Sequence, residues 1–301
     1  MLNPCHVILI TVPTFPIHDF FCEAISHGCT GVEADIWHFE DDDTLYVGHD
    51  TAHLSSTHTF EDLYVKPILN LLRRRNLVSP RPTKGRRNGI FDQDPFQSLI
   101  LLVDFKTSGP ELLSRVEAQL EPLRANDFLT YYDGSTLVHR PVTIVGTGNA
   151  PFNLLTNSSY RDIFFDAPLA DLYLPPDTSE PGSSAPQFSS QSQHHSGQGR
   201  IGTANVKPSD YDGSNSFYAS VSFTASIGYP WFGKLTDYQI ELIRGQIRGA
   251  HKQGLQARYW STPSWPRTWR DHVWSVLIQE GADMLNADDL EDAVMRLSSD
   301  S

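Results

Sequence analysis

The chain has 301 residues, 39% of them apolar, and its 36 acids outnumber 23 lysines and arginines for a net charge of −13. That length and apolar share suit one large α/β domain or two small ones. The acidic excess argues against partners held by long-range attraction, such as nucleic acid or anionic membrane surfaces, and leaves phosphate binding to a local cation.

The chain opens with "HVILITV", a first strand that stops at Pro13; no apolar run approaches the roughly 20 residues a bilayer span needs. "MLNPCHVILITV" shows neither the basic flank and cleavage site of a signal peptide nor an Arg-rich amphipathic presequence, so no compartment is assigned. Cys5, Cys22 and Cys29 all fall in the first tenth of the chain, too few and too clustered for a disulfide framework. "GVEADIW" is a second strand, followed by "FEDDDTLYVGHD", a hairpin excursion whose acidic cluster, Glu40 to Asp43, marks a solvated tip. "LILLVDFK" is a third strand, and "PELLSRVEAQLEPLRAN" carries apolar residues at helical spacing. "VTIVGTG" and "DIFFDAP" add two strands. After them comes a polar, Pro/Ser/Gly/Gln-rich stretch from Leu174 to Gly202, an insertion rather than a domain boundary because strands resume beyond it. His194 and His195 inside it read as part of a polar loop, not a metal tract. "FYASVSF", the helix "DYQIELIRGQIRGAHKQG" with Gly254 as its C-cap, "LQARYWS" and "DMLNADD" complete the series. Eight strands alternating with helices predict an α/β fold, a TIM-type (β/α)8 barrel over residues 1–301 as one domain.

Active sites of such barrels form at the C-terminal ends of the strands, so the polar residues expected there carry the chemistry. Glu33 and Asp35 are one residue apart on a strand and share a face. Two carboxylates so placed repel each other and resist desolvation, so they need solvent or a cation beside them. Asp104 and Lys106 share a face after the apolar run Leu99 to Val103 for the same reason. Glu33, Asp35 and Asp104 offer three hard oxygen ligands suited to Mg²⁺ or Ca²⁺. Lys106 is then placed to meet a phosphate oxygen, with a rim ion pair to Asp104 as the alternative. The hairpin's return arm, Leu45 to Val47, brings His49 back to the same rim. Arg258 and Trp260 share a face in "LQARYWS" as phosphate holder and apolar wall, and a structural ion pair is the alternative for Arg258. Asn286 and Asp288 end the last strand, where an N-cap role suits Asp288 or Asp289 better than ligation. "STPSWPRTW" lines the pocket mouth or fixes the loop after the seventh strand.

"GCTGVEADIW", "LYVGHD", "LLVDFKT", "ARYWSTPSWP" and "LNADDL" resemble the fungal altered inheritance of mitochondria protein 6 family, PLC-like phosphodiesterases with a TIM-barrel fold, over nearly the whole chain after about residue 16. The order Glu-x-Asp, His, Asp-x-Lys is more remotely similar to glycerophosphodiester phosphodiesterases and spider-type sphingomyelinase D. The resemblance implies a Mg²⁺ or Ca²⁺ held by Glu33, Asp35 and Asp104, His49 as one of two catalytic histidines, and Lys106 at the phosphate. It further implies a glycerophosphodiester or lysophospholipid-like substrate, cleaved by hydrolysis or by cyclisation. The chain departs from the pattern at its first strand, which in these families ends in a histidine; here it ends "ITVPTF". His6 lies at the opposite end of that strand, His18 follows it in a stretch without the family's motif, and His27 falls in the first helix. A misassigned start or exon is the expectation that follows; the alternative is a catalytically silent barrel that binds a phospholipid headgroup or a partner protein.

Overall fold

Short, nearly continuous apolar runs pair edge to edge as strands buried on both faces, and stretches with apolar residues three and four apart pack over them as helices. The computed structural model describes residues 20–40, 42–78, 87–176 and 201–287. In chain order these form α1 (Phe20–Ser26), β1 (Gly31–Phe39), β2 (Asp42–Val47), α2 (Lys66–Val78), β3 (Leu99–Phe105) and α3 (Gly109–Arg124). A small hairpin, β4 (Tyr131–Tyr132) and β5 (Leu137–Val138), precedes β6 (Val142–Gly148), α4 (Phe152–Leu155) and β7 (Ile163–Pro168). The last part holds β8 (Ser216–Ser222), α5 (Phe223–Ser226), α6 (Asp237–Lys252), β9 (Gln256–Trp260), α7 (Arg267–Glu280) and β10 (Met284–Leu285). Seven of the eight strands expected from the sequence are thus present. The eighth, "HVILITV", lies outside the described residues, as do His6, His18, His194, His195, Asp288 and Asp289.

One eight-stranded sheet runs β10-β9-β8-β7-β6-β3-β1-β2. Its strands are parallel except where β2 folds back antiparallel on β1, pairing Val47 with Ile36 and Tyr46 with Trp37. The sheet is strongly curled. Arg258 of β9 and Glu33 of β1 lie five strand spacings apart, roughly 24 Å in a flat sheet at about 4.8 Å per step, yet their side chains approach to 3.5 Å. Among the described residues this curled sheet is open, with β10 and β2 at its edges. It stands where the sequence predicts a closed barrel, whose first strand falls in the segment not described.

Curling divides the apolar residues into two groups. Those on the outer face pack with the helices in the main core, while Ile100, Leu102, Val145, Tyr218 and Met284 form a separate cluster. They occupy alternate positions on β3, β6, β8 and β10, as side chains inside the curl must. Local signals fix the helices that cover the sheet. Thr236 and Gln239 form a reciprocal cap at the start of α6. At its end Gly254, at φ +71°, donates to the His251 carbonyl while Leu255 donates to that of Ala250, the double closure that a left-handed residue allows. No helix among the described residues is long and apolar enough to cross a membrane.

Candidate metal centre

β1 and β3 are in register, with Glu33 opposite Leu102 and Asp35 opposite Asp104. The period-two rule then turns Glu33, Asp35 and Asp104 into the curl, level with Leu102 to Asp104 of β3, while β1 runs on past Asp35 to Phe39 in its hairpin with β2. Val32, Ala34, Ile36 and His38 point the other way, and the first three are fully buried in the main core. Tyr64 fixes the strand from outside by donating to the Glu33 carbonyl at 2.6 Å. Register on this strand is therefore set by burial, because a slip of one residue would bury the acids among the helices.

The three acids each bring an oxygen within 4.8 Å of the others. Two ligands bound at roughly 2.4 Å lie no more than about 4.8 Å apart, so this spacing admits one divalent cation. Both Asp35 carboxylate oxygens and Asp104 Oδ1 are buried and receive no hydrogen bond. Buried oxygens of this kind are costly unless a partner arrives, and hard carboxylate oxygens suit Mg²⁺ or Ca²⁺. The residues present fit such an ion.

Two cations border the acids. Lys106 Nζ is bonded to Asp104 Oδ2 and lies 3.3 Å from Asp35 Oδ1. Arg258, only 3% exposed, places one nitrogen 3.5 Å from Glu33 Oε2 and another 3.6 Å from Asp166 Oδ2. Its Nε donates to Asn286 at 2.9 Å and its Nη1 to Ser220 at 3.3 Å. The ion pairs left open as alternatives for Lys106 and Arg258 are both present. His49 Nδ1 reaches to 3.6 Å of Asp35 Oδ2, carried there by the β1–β2 hairpin. Gly48, just before it, is held by its own amide donating to the Asp35 carbonyl and its carbonyl accepting from the Trp37 indole. Trp260 sits half-buried at the end of β9, two residues beyond Arg258 on the same face.

Burial pushes the Glu33 carboxyl up to about 8; Arg258 draws it down, while Asp35 and Asp104 add to the rise. Burial likewise lifts Asp35 to about 6 against the pull of Lys106. For Lys106, burial opposes the charge, but Asp104, Asp35 and Glu33 outweigh it and hold the ammonium above its ordinary range.

Two residues of this centre carry no role in the sequence reading. Asp166, at the end of β7, is buried, accepts from Thr147 at 2.9 Å and faces Arg258. Burial raises its carboxyl, with Arg258, Ser220 and Thr147 acting in the opposite sense. A signal existed: "IFFDA" places an acid after an apolar run just as "LLVDF" does. Gly148 ends β6 opposite Phe105 at φ +63°. A side chain there would collide with Asp104 Oδ1 and the Phe105 carbonyl, so this glycine leaves the space the Asp104 carboxylate occupies.

A family model described as the AIM6-like phosphodiesterase domain matches residues 15–166. Among curated relatives, an altered inheritance of mitochondria protein 6 homolog from Arthroderma benhamiae is 33% identical over 90% of this chain and 75% of its own length. The protein of that name from Eremothecium gossypii is also 33% identical, over 89% of this chain and 64% of its own. The chain thus spans between about two thirds and three quarters of these relatives. Among solved structures, a glycerophosphodiester phosphodiesterase from Parabacteroides distasonis superposes with a TM-score of 0.50 over 99% of both chains at 11% identity, a likeness of fold.

Proposed function

Because the chain belongs to the AIM6-like phosphodiesterase family, we propose that it cleaves a phosphodiester with a divalent cation held by Glu33, Asp35 and Asp104. The observation that carries this reading is the convergence of three carboxylates, several of their oxygens buried without a hydrogen bond, between two side-chain cations on one rim. The substrate class is a glycerophosphodiester or a lysophospholipid-like diester, and the closed barrel expected from the sequence is the frame that goes with it.

A bound Mg²⁺ or Ca²⁺ supplies Lewis acidity at a phosphoryl oxygen and offsets the charge gathered by the acids. Lys106, within reach of both Asp35 and Asp104, is placed to bind a second phosphoryl oxygen and offset developing negative charge. Arg258 keeps Glu33 turned into the site and presents its guanidinium beside it. His49, the most exposed member of the set, has room to move its Nδ1 proton between Asp35 and the reacting oxygen. A neighbouring substrate hydroxyl as nucleophile would give a cyclic phosphate, and water would give hydrolysis.

Turnover of a glycerophosphodiester by the full chain is the test. Asp104→Asn should remove it, and His49→Ala should lower kcat by about 10²- to 10⁴-fold, the usual worth of a general acid–base group. Wild-type rates in Asp104→Asn would rule the site out. A second reading, a barrel that holds the phosphate headgroup without cleaving it, is favoured by the pairing of both cations with the site's own acids. It predicts thermal stabilisation by Mg²⁺ with no turnover.

A further inference from the structure

Four large exposed apolar side chains, Tyr229, Trp231, Phe232 and Trp265, sit on two neighbouring loops. One loop leaves the C-terminal end of β8 and the other that of β9, adjacent parallel strands. Asp104, next to last in β3, and Asp35 opposite it lie toward this same end of the sheet.

The loop tip is built to hold its rings in solvent. Trp231 and Lys234 exchange backbone hydrogen bonds at 2.8 and 3.0 Å around Phe232 and Gly233, whose φ angles are +47° and +81°. Two positive φ values in a two-residue turn define type I′, a position where Asn, Asp or Gly normally precedes Gly. Phenylalanine there opposes the backbone preference; the residue is 88% exposed, and its ring meets the Trp231 indole edge-on at 5.3 Å. Folding is equally well served by asparagine, so the ring's value lies outside the fold. The rest of the loop is fastened: Gln239 donates to the carbonyls of Ile227 and Tyr229, and Leu235 donates to His272. Gly233 packs against Trp269 in the first turn of α7, and Trp265 lies on the loop just before that helix's N-cap, Pro266.

We infer that this convex aromatic tip, with Trp265 beside it, docks on a lipid bilayer whose headgroups are zwitterionic. All four residues are more than half exposed, and Trp and Tyr beside a lysine, here exposed Lys234, are the mix that settles at a membrane interface. The chain's net charge of −13 disfavours an anionic surface, so the bilayer that suits these rings is a neutral one. The inference rests on the phosphodiester reading for its purpose, presenting a lipid diester to the rim, and on loop geometry for its existence.

The test is co-sedimentation of the full chain with phosphatidylcholine vesicles, beside a Trp231→Ser/Phe232→Asn double variant that the turn geometry favours. The expected result is wild-type binding that survives raised salt and a partition coefficient at least tenfold lower in the variant, with equal rates on a water-soluble glycerophosphodiester. Absence of wild-type binding, or equal binding by the variant, would overturn the inference. So would a wild-type dimer that ignores vesicles and dissociates in the variant, which would make the surface a self-association site. Ring-dependent vesicle binding without cleavage of any diester would uphold this surface and sink the phosphodiesterase reading instead.

Discussion

Glu33, Asp35, Asp104 and Asp166 face Lys106 and Arg258, so four acids share two side-chain cations, and the metal-free centre holds an excess of two negative charges. Protons relieve part of that excess, as the rise of Glu33 to about 8 and Asp35 to about 6 records. Both groups titrate higher folded than unfolded, so their contribution to stability is fully present below about pH 4 and is lost as pH rises through 6 and then 8. The metal-free melting temperature should therefore fall between pH 5 and pH 8, and Mg²⁺ or Ca²⁺ should restore it. Cation binding must displace these protons. Calorimetry in buffers of different ionisation enthalpy should show net proton release near pH 7, and affinity should rise with pH over the same window. A flat affinity from pH 6 to 8 would contradict the ligand set. On the proposed metal reading, Lys106 would compete with the ion for Asp104 and Asp35. Lys106→Met should cost the metal-free protein about 2 kcal/mol, less than a fully buried pair because the lysine is partly exposed. The same variant should show a larger cation-induced rise in melting temperature than wild type.

At the level of elements, the end of β6 decides the shape of the centre. Gly148→Ala adds one methyl group at a left-handed position directly against Asp104. The change should weaken divalent-cation binding more than tenfold while leaving the far-ultraviolet dichroism of the sheet intact, and unaltered affinity would show that Asp104 is not a ligand. The acids on β1 and β3 were readable in the sequence because period two dictates which side chains share a face, and His49 because a short hairpin must return to where it left. Asp166 had the same signal, an acid after an apolar run, but its pairing with Arg258 exists only across strands distant in sequence; Gly148 was not readable, because its role lies in a backbone conformation that composition does not disclose. Arg258 was readable as a rim residue but not as the partner of Glu33, since that contact exists only once the sheet curls.

Across the molecule, the curl and the candidate centre depend on one another. Arg258 links β9 to β1 across four intervening strands and meets acids on β1 and β7. Arg258→Leu would leave Glu33 and Asp166 buried without their cation, and the urea midpoint should drop by the equivalent of about 3 kcal/mol at unchanged m. A near-neutral result would mean that the outer-face core alone sets the curl. The alternation of strand and helix announced this architecture, while the closed barrel expected from the sequence needs a first strand that falls outside the described residues. The most direct measurement is phosphorus NMR of a glycerophosphodiester incubated with the full chain in Mg²⁺ or Ca²⁺ and, in parallel, in excess chelator. The diester resonance should give way to a monoester or a cyclic phosphate only where the cation is free. An unchanged diester in both tubes, or equal loss in both, would contradict a divalent cation at Glu33, Asp35 and Asp104 as the centre of the chemistry.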